Sequence, residues 1–170
     1  MIVILYMAIS ADGFIAKKDG DSDWVSEVDT LNFEKTIKDA GCLIVGRKTF
    51  EQYEGELYPM KDVYNVVLTN NKEKNKETNG VLISSKPPME VLKLLNQKGF
   101  KSAVVIGGGT LNTSFLKERL IDEIYLSVHP LILGNGIKLF ENTQDFVNLK
   151  LEGVEKLEDN LVQLHYKVIK

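Results

Sequence analysis

Short runs rich in Val, Ile and Leu recur along the chain without regular polar alternation: Ile2–Ala8, Cys42–Val45, Val63–Leu68, Val81–Ile83, Ala103–Ile106 and Ile124–Val128. A strand that is apolar on both faces must be covered on both, as strands of a parallel sheet between helices are. Segments of helical period lie between the runs. Leu31, Phe33, Ile37 and Ala40 share one face, and Leu111, Phe115, Leu116 and Leu120 another. Met89, Val91, Leu92 and Leu95 form a third, between a Pro87-Pro88 start and a Gly99 stop. In the tail Val162, Leu164, Tyr166 and Val168 alternate with other residues after a turn at Glu158-Asp159-Asn160, which predicts an antiparallel hairpin. The order predicts an α/β fold of three layers, with a mostly parallel central sheet and an antiparallel C-terminal edge hairpin.

A length of 170 residues suits a single domain over 1–170, with no repeat or linker to divide it. The polar stretch Asn70–Gly80 reads as a solvated loop inside that domain. A net charge of −3 with no basic stripe argues against nucleic acid as a partner. The lone Cys42 excludes an internal disulfide and fits a reducing compartment. The apolar N-terminus MIVILYMAIS has no basic residues before it and breaks at Ser10-Ala11-Asp12-Gly13, too soon to span a bilayer. The expectation is a cytoplasmic protein without a membrane partner.

Three strand ends carry chemistry suited to phosphate. In Ala103–Leu120 a strand ending at Ile106 runs into Gly107, Gly108 and Gly109, then Thr110 and Leu111 at a helix start. Glycines admit close approach of a pyrophosphate, and the new helix offers unpaired N–H groups. The run is not the Rossmann fingerprint, and a plain tight turn explains it as well. Cys42–Val45 ends in Gly46, Arg47, Lys48 and Thr49, where two cations oppose the helix dipole unless an anion joins them. A solvated Arg-Lys pair is the plainer reading. Val67 leads to Leu68, Thr69 and Asn70 with no acid following, which favours a 2′-phosphate over a free ribose hydroxyl.

With these junctions in place, the chain resembles the dihydrofolate-reductase-like superfamily. Within it the chain is most similar to the reductase domain of the bifunctional riboflavin-biosynthesis deaminase–reductase and its stand-alone relatives. The resemblance rests on MAISADGFIA (Met7–Ala16), LIVGRKTFE (Leu43–Glu51), VVLTNN (Val66–Asn71), VVIGGGTLNTSFL (Val104–Leu116) and DEIYLSVHPLILGNGIKLF (Asp122–Phe140). It implies NADPH across the carboxyl ends of the central strands. Arg47, Lys48 and Thr49 would hold phosphates, and Thr69 with Arg47 the 2′-phosphate side. Gly107, Gly108 and Gly109, where the superfamily often has a cis Gly–Gly bond, would lie against pyrophosphate and nicotinamide. Ala8, Ile9 and Ile15 would flank the nicotinamide. The resemblance also implies a homodimer formed through a sheet edge.

Trp24 and Asp29 match the tryptophan and acid that folate reductases carry ahead of their first helix, and Ser127 falls where the superfamily places a hydroxyl beside that acid. The resemblance therefore implies that Asp29 bonds a substrate ring and assists its protonation. A second reading stands beside it: Asp29 caps a helix beginning near Thr30 or completes a box with Ser26, and Trp24 is a core aromatic. Asp12-Gly13 is read as a turn shaping the mouth, and His129 and His165 as structural or surface residues. No metal site is expected, since the cysteine pair and HxE motif of a zinc deaminase are not in the sequence. Asn65 matches a folate-reductase asparagine, but Val63 stands where those enzymes hold the folate tail with arginine. The implied substrate is a ribosylaminopyrimidine 5′-phosphate, of the 5-amino-6-(5-phosphoribosylamino)uracil type, whose phosphate Lys17, Lys18 or Lys138 would meet. The alternatives are a folate or other pteridine reductase, and a dimeric nucleotide-binding protein without turnover.

Overall fold

The structure is a computed structural model that describes residues 1–144 and 146–170. The chain runs through β1 (Ile2–Ser10), β2 (Phe14–Ala16), α1 (Glu27–Ala40), β3 (Cys42–Gly46), α2 (Arg47–Gln52), β4 (Tyr64–Leu68) and β5 (Lys76–Thr78). It continues through β6 (Val81–Ser84), α3 (Pro88–Gln97), β7 (Ser102–Val105), α4 (Gly109–Lys117) and β8 (Glu123–His129). The last strands are β9 (Ile137–Lys138), β10 (Leu149–Glu158) and β11 (Leu161–Val168). Among the described residues, nine strands form one sheet in the order β10-β11-β8-β1-β7-β3-β4-β6-β5.

Strands β8, β1, β7, β3, β4 and β6 pair in parallel, while β11, β10 and β5 add antiparallel edges. Both faces of the middle strands are covered, as their unbroken apolar runs require. On one face Leu5, Ile44 and Val105 pack with Leu95 of α3 and Phe115 of α4. On the other Tyr6, Leu43 and Val104 pack with Ile37 of α1 and Phe50 of α2. Each fully buried Leu or Phe contributes about 1.5–3 kcal/mol of transfer free energy. The parallel order brings the carboxyl ends of β1, β3, β4, β6 and β7 to one rim. In open α/β sheets that rim is where ligands bind.

Three expectations need correction. The stretch 70–80 is not loop alone: it holds a 3-10 turn at Lys72–Lys74 and the strand β5 along β6. Leu31 and Met89 are exposed rather than on the buried faces of their helices. The row Asp29–Phe33–Ile37 faces the sheet, and at 100° per residue Leu31 lies about 200° around from Asp29. In β11 the buried residues near the turn are Leu161 and Gln163, while Val162 is exposed. A small second sheet, β2 with β9, clamps the loop after β1 to the segment after β8.

Candidate active site

The rim carries two connected hollows. A cavity of about 540 Å³ has Tyr6, Ala8, Ile15, Asp29, Phe33 and Ile106 among its walls. A groove of about 1080 Å³ runs past Gly46, Arg47, Leu68, Thr69, Asn70 and Pro87. Lys48, Thr49, Gly108 and Ile137 line both, so cavity and groove meet over the ends of β3 and β7. The three strand ends singled out in the sequence thus converge on one groove.

The meeting point is built by backbone. Gly46 N–H donates to the Gly107 carbonyl at 2.8 Å, tying β3 to β7, and the Gly107–Gly108 peptide is cis. Gly107 has φ +93°, a conformation that glycine adopts at little cost. A Cβ on Gly108 would lie 3.4 Å from Thr49 Oγ1, so the bare backbone leaves a narrow passage between groove and cavity. Helix α4 begins at Gly109 with Gly108 as its cap and no side chain bonded to its opening N–H groups. Those donors, with Gly108, Gly109 and Leu111 in the wall, leave the groove able to accept an anion.

The cations divide into held and free. Arg47 lies in the groove, but its guanidinium pairs with Glu51 of its own helix at 2.5 Å, and Lys74 reaches the same carboxylate at 3.4 Å. Lys48 and Lys86 line the groove with no ion pair among the described residues. Thr110 lines it too, but its hydroxyl donates to Glu141 at 2.9 Å. Lys17 is tied to Asp21 at 2.9 Å and Asp23 at 2.7 Å, which hold its ammonium well above the usual lysine range. This removes Lys17 from the candidates for a substrate phosphate. Lys18 faces the cavity, whereas Lys138 lies on β9 outside its wall.

Asp29 is the buried acid of the site, 1% exposed on the first turn of α1. It is not the cap. The helix starts at Glu27, Ser26 is the N-cap, and Ser26 Oγ accepts the Asp29 N–H at 3.2 Å. The Asp29 side chain instead faces the sheet, where Tyr6 and Ser127 each donate a hydroxyl to Oδ1 at 2.6 Å. Burial first, and then the Asp29 charge, push the Tyr6 hydroxyl well above the usual tyrosine range. Gln163 Nε2 donates to Tyr6 Oη at 2.8 Å and to Ser127 Oγ at 3.0 Å.

Two aromatic side chains stand beside the acid. His129, expected as a structural or surface residue, is the former: it is buried at the end of β8, where Nε2 accepts the Ser26 N–H at 3.1 Å and stands 3.8 Å from Asp29 Oδ2. Trp24 packs edge-on against His129, with ring centroids 5.1 Å apart, and its buried Nε1 finds no partner among the described residues. The tryptophan supports the histidine beside the acid rather than meeting the carboxylate. Asp12 does more than turn the chain, since it accepts N–H groups of Leu133 and Gly134 and so fixes the loop across the mouth. Sequence reasoning missed Tyr6, Gln163 and Lys86. The signal for Lys86 was present, as Ser84-Ser85-Lys86 before Pro87-Pro88 is a fourth strand-to-helix junction of the same kind.

The fold is dihydrofolate-reductase-like. The Enterococcus faecalis dihydrofolate reductase solved with NADP(H) superposes with TM-score 0.73 at 19% identity, over 99% of this chain and 97% of the other. The chain belongs to the RibD C-terminal domain family, which it matches over residues 1–163. YwjB of Bacillus subtilis (strain 168) is 31% identical over 168 residues, covering 96% of this chain and 95% of YwjB. A putative riboflavin biosynthesis protein of Shewanella sp. PV-4 superposes with TM-score 0.82 at 27% identity, over 100% of each chain. The Thermotoga maritima diaminohydroxyphosphoribosylaminopyrimidine deaminase/5-amino-6-(5-phosphoribosylamino)uracil reductase gives TM-score 0.80 at 19% identity, over 99% of this chain but 56% of the other.

Proposed function

We propose that this chain is an NADPH-dependent reductase acting on a ribosylaminopyrimidine phosphate of the 5-amino-6-(5-phosphoribosylamino)uracil type. The observation that carries the reading is the shared wall at Thr49 and Gly108, where an anion-suited groove opens into a cavity that holds a buried carboxylate. Bound NADPH would supply the hydride, so the chain itself needs few reactive groups. Thr69, Lys48 and the opening N–H groups of α4 would hold its phosphates, with Arg47 exchanging Glu51 for the 2′-phosphate. Ala8, Ile15 and Ile106 would flank its reactive ring and exclude water.

The chain's own part in the reaction falls to the cavity. About 540 Å³ suits one heterocycle with a sugar phosphate. Asp29 would accept an N–H of the ring and assist proton transfer, held in place by Tyr6 and Ser127. Lys18 would meet the phosphate at the mouth. Val63, only 9% exposed, offers no cation to a folate tail, which disfavours dihydrofolate. The outermost strand, β10, shows Leu149, Leu151 and Val154 to solvent and has one unpaired edge, and we read it as the surface on which two copies pair.

The test is NADPH oxidation by the purified protein with the pyrimidine ribosylamino phosphate and, separately, with dihydrofolate. Turnover with the first alone is the expected result. NADPH binding without reduction of either would make the protein a nucleotide-binding relative instead.

A further inference from the structure

Gln163 lies on β11, in the edge hairpin, apart from every motif that forms the rim. We infer that Gln163 is a positioning residue: its amide turns the Tyr6 and Ser127 hydroxyls onto one oxygen of Asp29, so that the other alone exchanges a proton with a ligand. The inference rests on the reading that Asp29 handles the substrate proton.

The argument is one of hydrogen-bond supply. A hydroxyl has a single proton. Tyr6 Oη and Ser127 Oγ each accept an N–H from Gln163 Nε2, at 2.8 and 3.0 Å, so each is left to donate elsewhere. The acceptor is Asp29 Oδ1, 2.6 Å from both. Turning the amide over would place its carbonyl oxygen against the two hydroxyls and claim both protons. Oδ1 would then face two oxygens across contacts that one carboxyl proton could not satisfy, so the network admits only the donating orientation.

With two donors on Oδ1, a proton arriving at Asp29 goes to Oδ2. Oδ2 has no hydrogen-bond partner among the described residues. The titratable groups facing the carboxyl are Tyr6 from β1 and His129 from β8. His129 already accepts Ser26 N–H at Nε2, the nitrogen nearest Asp29, and its Nδ1 lies 3.1 Å from the Ser127 carbonyl, so the imidazole has no N–H aimed at Oδ2. Oδ2 is therefore the oxygen left to a ligand in the cavity that Asp29 lines.

The test is a carbon-13 NMR titration of the Asp29 carboxyl in the substrate-free protein, assigned by its loss in Asp29→Asn. Gln163→Met and the isosteric Gln163→Glu are both expected to raise its midpoint, by about one pH unit or more. The acid limb of kcat/KM should move with it while the KM for NADPH stays in place, a split that general loosening of the fold would not give. An unmoved midpoint in both variants, with Asp29→Asn inactive, would overturn the role of Gln163 and leave that of Asp29 standing. Full turnover by Asp29→Asn would instead remove the reading beneath it, and the NMR midpoint would still decide whether Gln163 governs the carboxyl.

Discussion

Cys42 opens β3 fully buried, and burial pushes its thiol up to about 12 from an ordinary value of 9.0. The shift has a definite sign. A group whose folded value is raised adds stability that is complete below its unfolded value and is lost as pH rises toward the folded one. Between pH 9 and about 12, unfolding should therefore become easier by up to about 1.4 kcal/mol per pH unit from this thiol. Tyr6 and Tyr58, both raised chiefly by burial, add to the loss above their ordinary value of 10.0. Urea unfolding across that range should show the decline, and Cys42→Ala should flatten its lower part; an equal slope in the variant would remove the thiol from the explanation. At this scale the sequence was only partly legible. Asp29 and Ser127 could be named because each sits in a recognisable local motif. Tyr6 and Gln163, which complete the same cluster, are far apart in sequence and carry no local signature. They meet because β11 lies beside β8 and β8 beside β1.

At the scale of elements, the start of α4 decides whether the groove can hold phosphate. Gly109 is pressed against the Lys138 carbonyl and, at 3.0 Å from an added Cβ, against Glu141 Cγ. Gly109→Ala should therefore push α4 away from β9 and close the groove's end, at a cost of about 1–3 kcal/mol of stability. NADPH affinity should fall by about tenfold or more if the displaced N–H groups are its phosphate donors. Thermal melts and cofactor titration on one preparation check both halves; lost stability with unchanged affinity would place the phosphates elsewhere. The glycine run announced this turn, but not the strand packed on it. β9 is two residues long and β5 only three, too short for any apolar period to register, and both are held by tertiary pairing. Leu31 shows the converse error. Its spacing was helical, but the row that faces the sheet begins with the buried acid Asp29, which an apolar template skips.

At the scale of the molecule, the topology converts separate sequence signals into one site. Parallel pairing of β3, β4, β6 and β7 gathers their following turns at a single rim, and β1 supplies Tyr6 and Ala8 from the neighbouring strand. The same topology leaves β10 at the far edge with Leu151 and Val154 exposed. If two copies pair there, sedimentation should show a dimer for the native chain and a monomer for Leu151→Lys with Val154→Lys; a dimer persisting in the double variant would move the contact elsewhere. The fold class was legible because unbroken apolar runs between helical segments leave few alternatives to a covered parallel sheet. The union of groove and cavity was not, since no stretch of sequence spans both. That union is most directly examined by calorimetric titration of the native chain and Arg47→Ala with NADPH and NADH. We expect one NADPH per chain, weaker binding of NADH, and a preference that shrinks in the variant. A native chain that takes up neither nucleotide would contradict it.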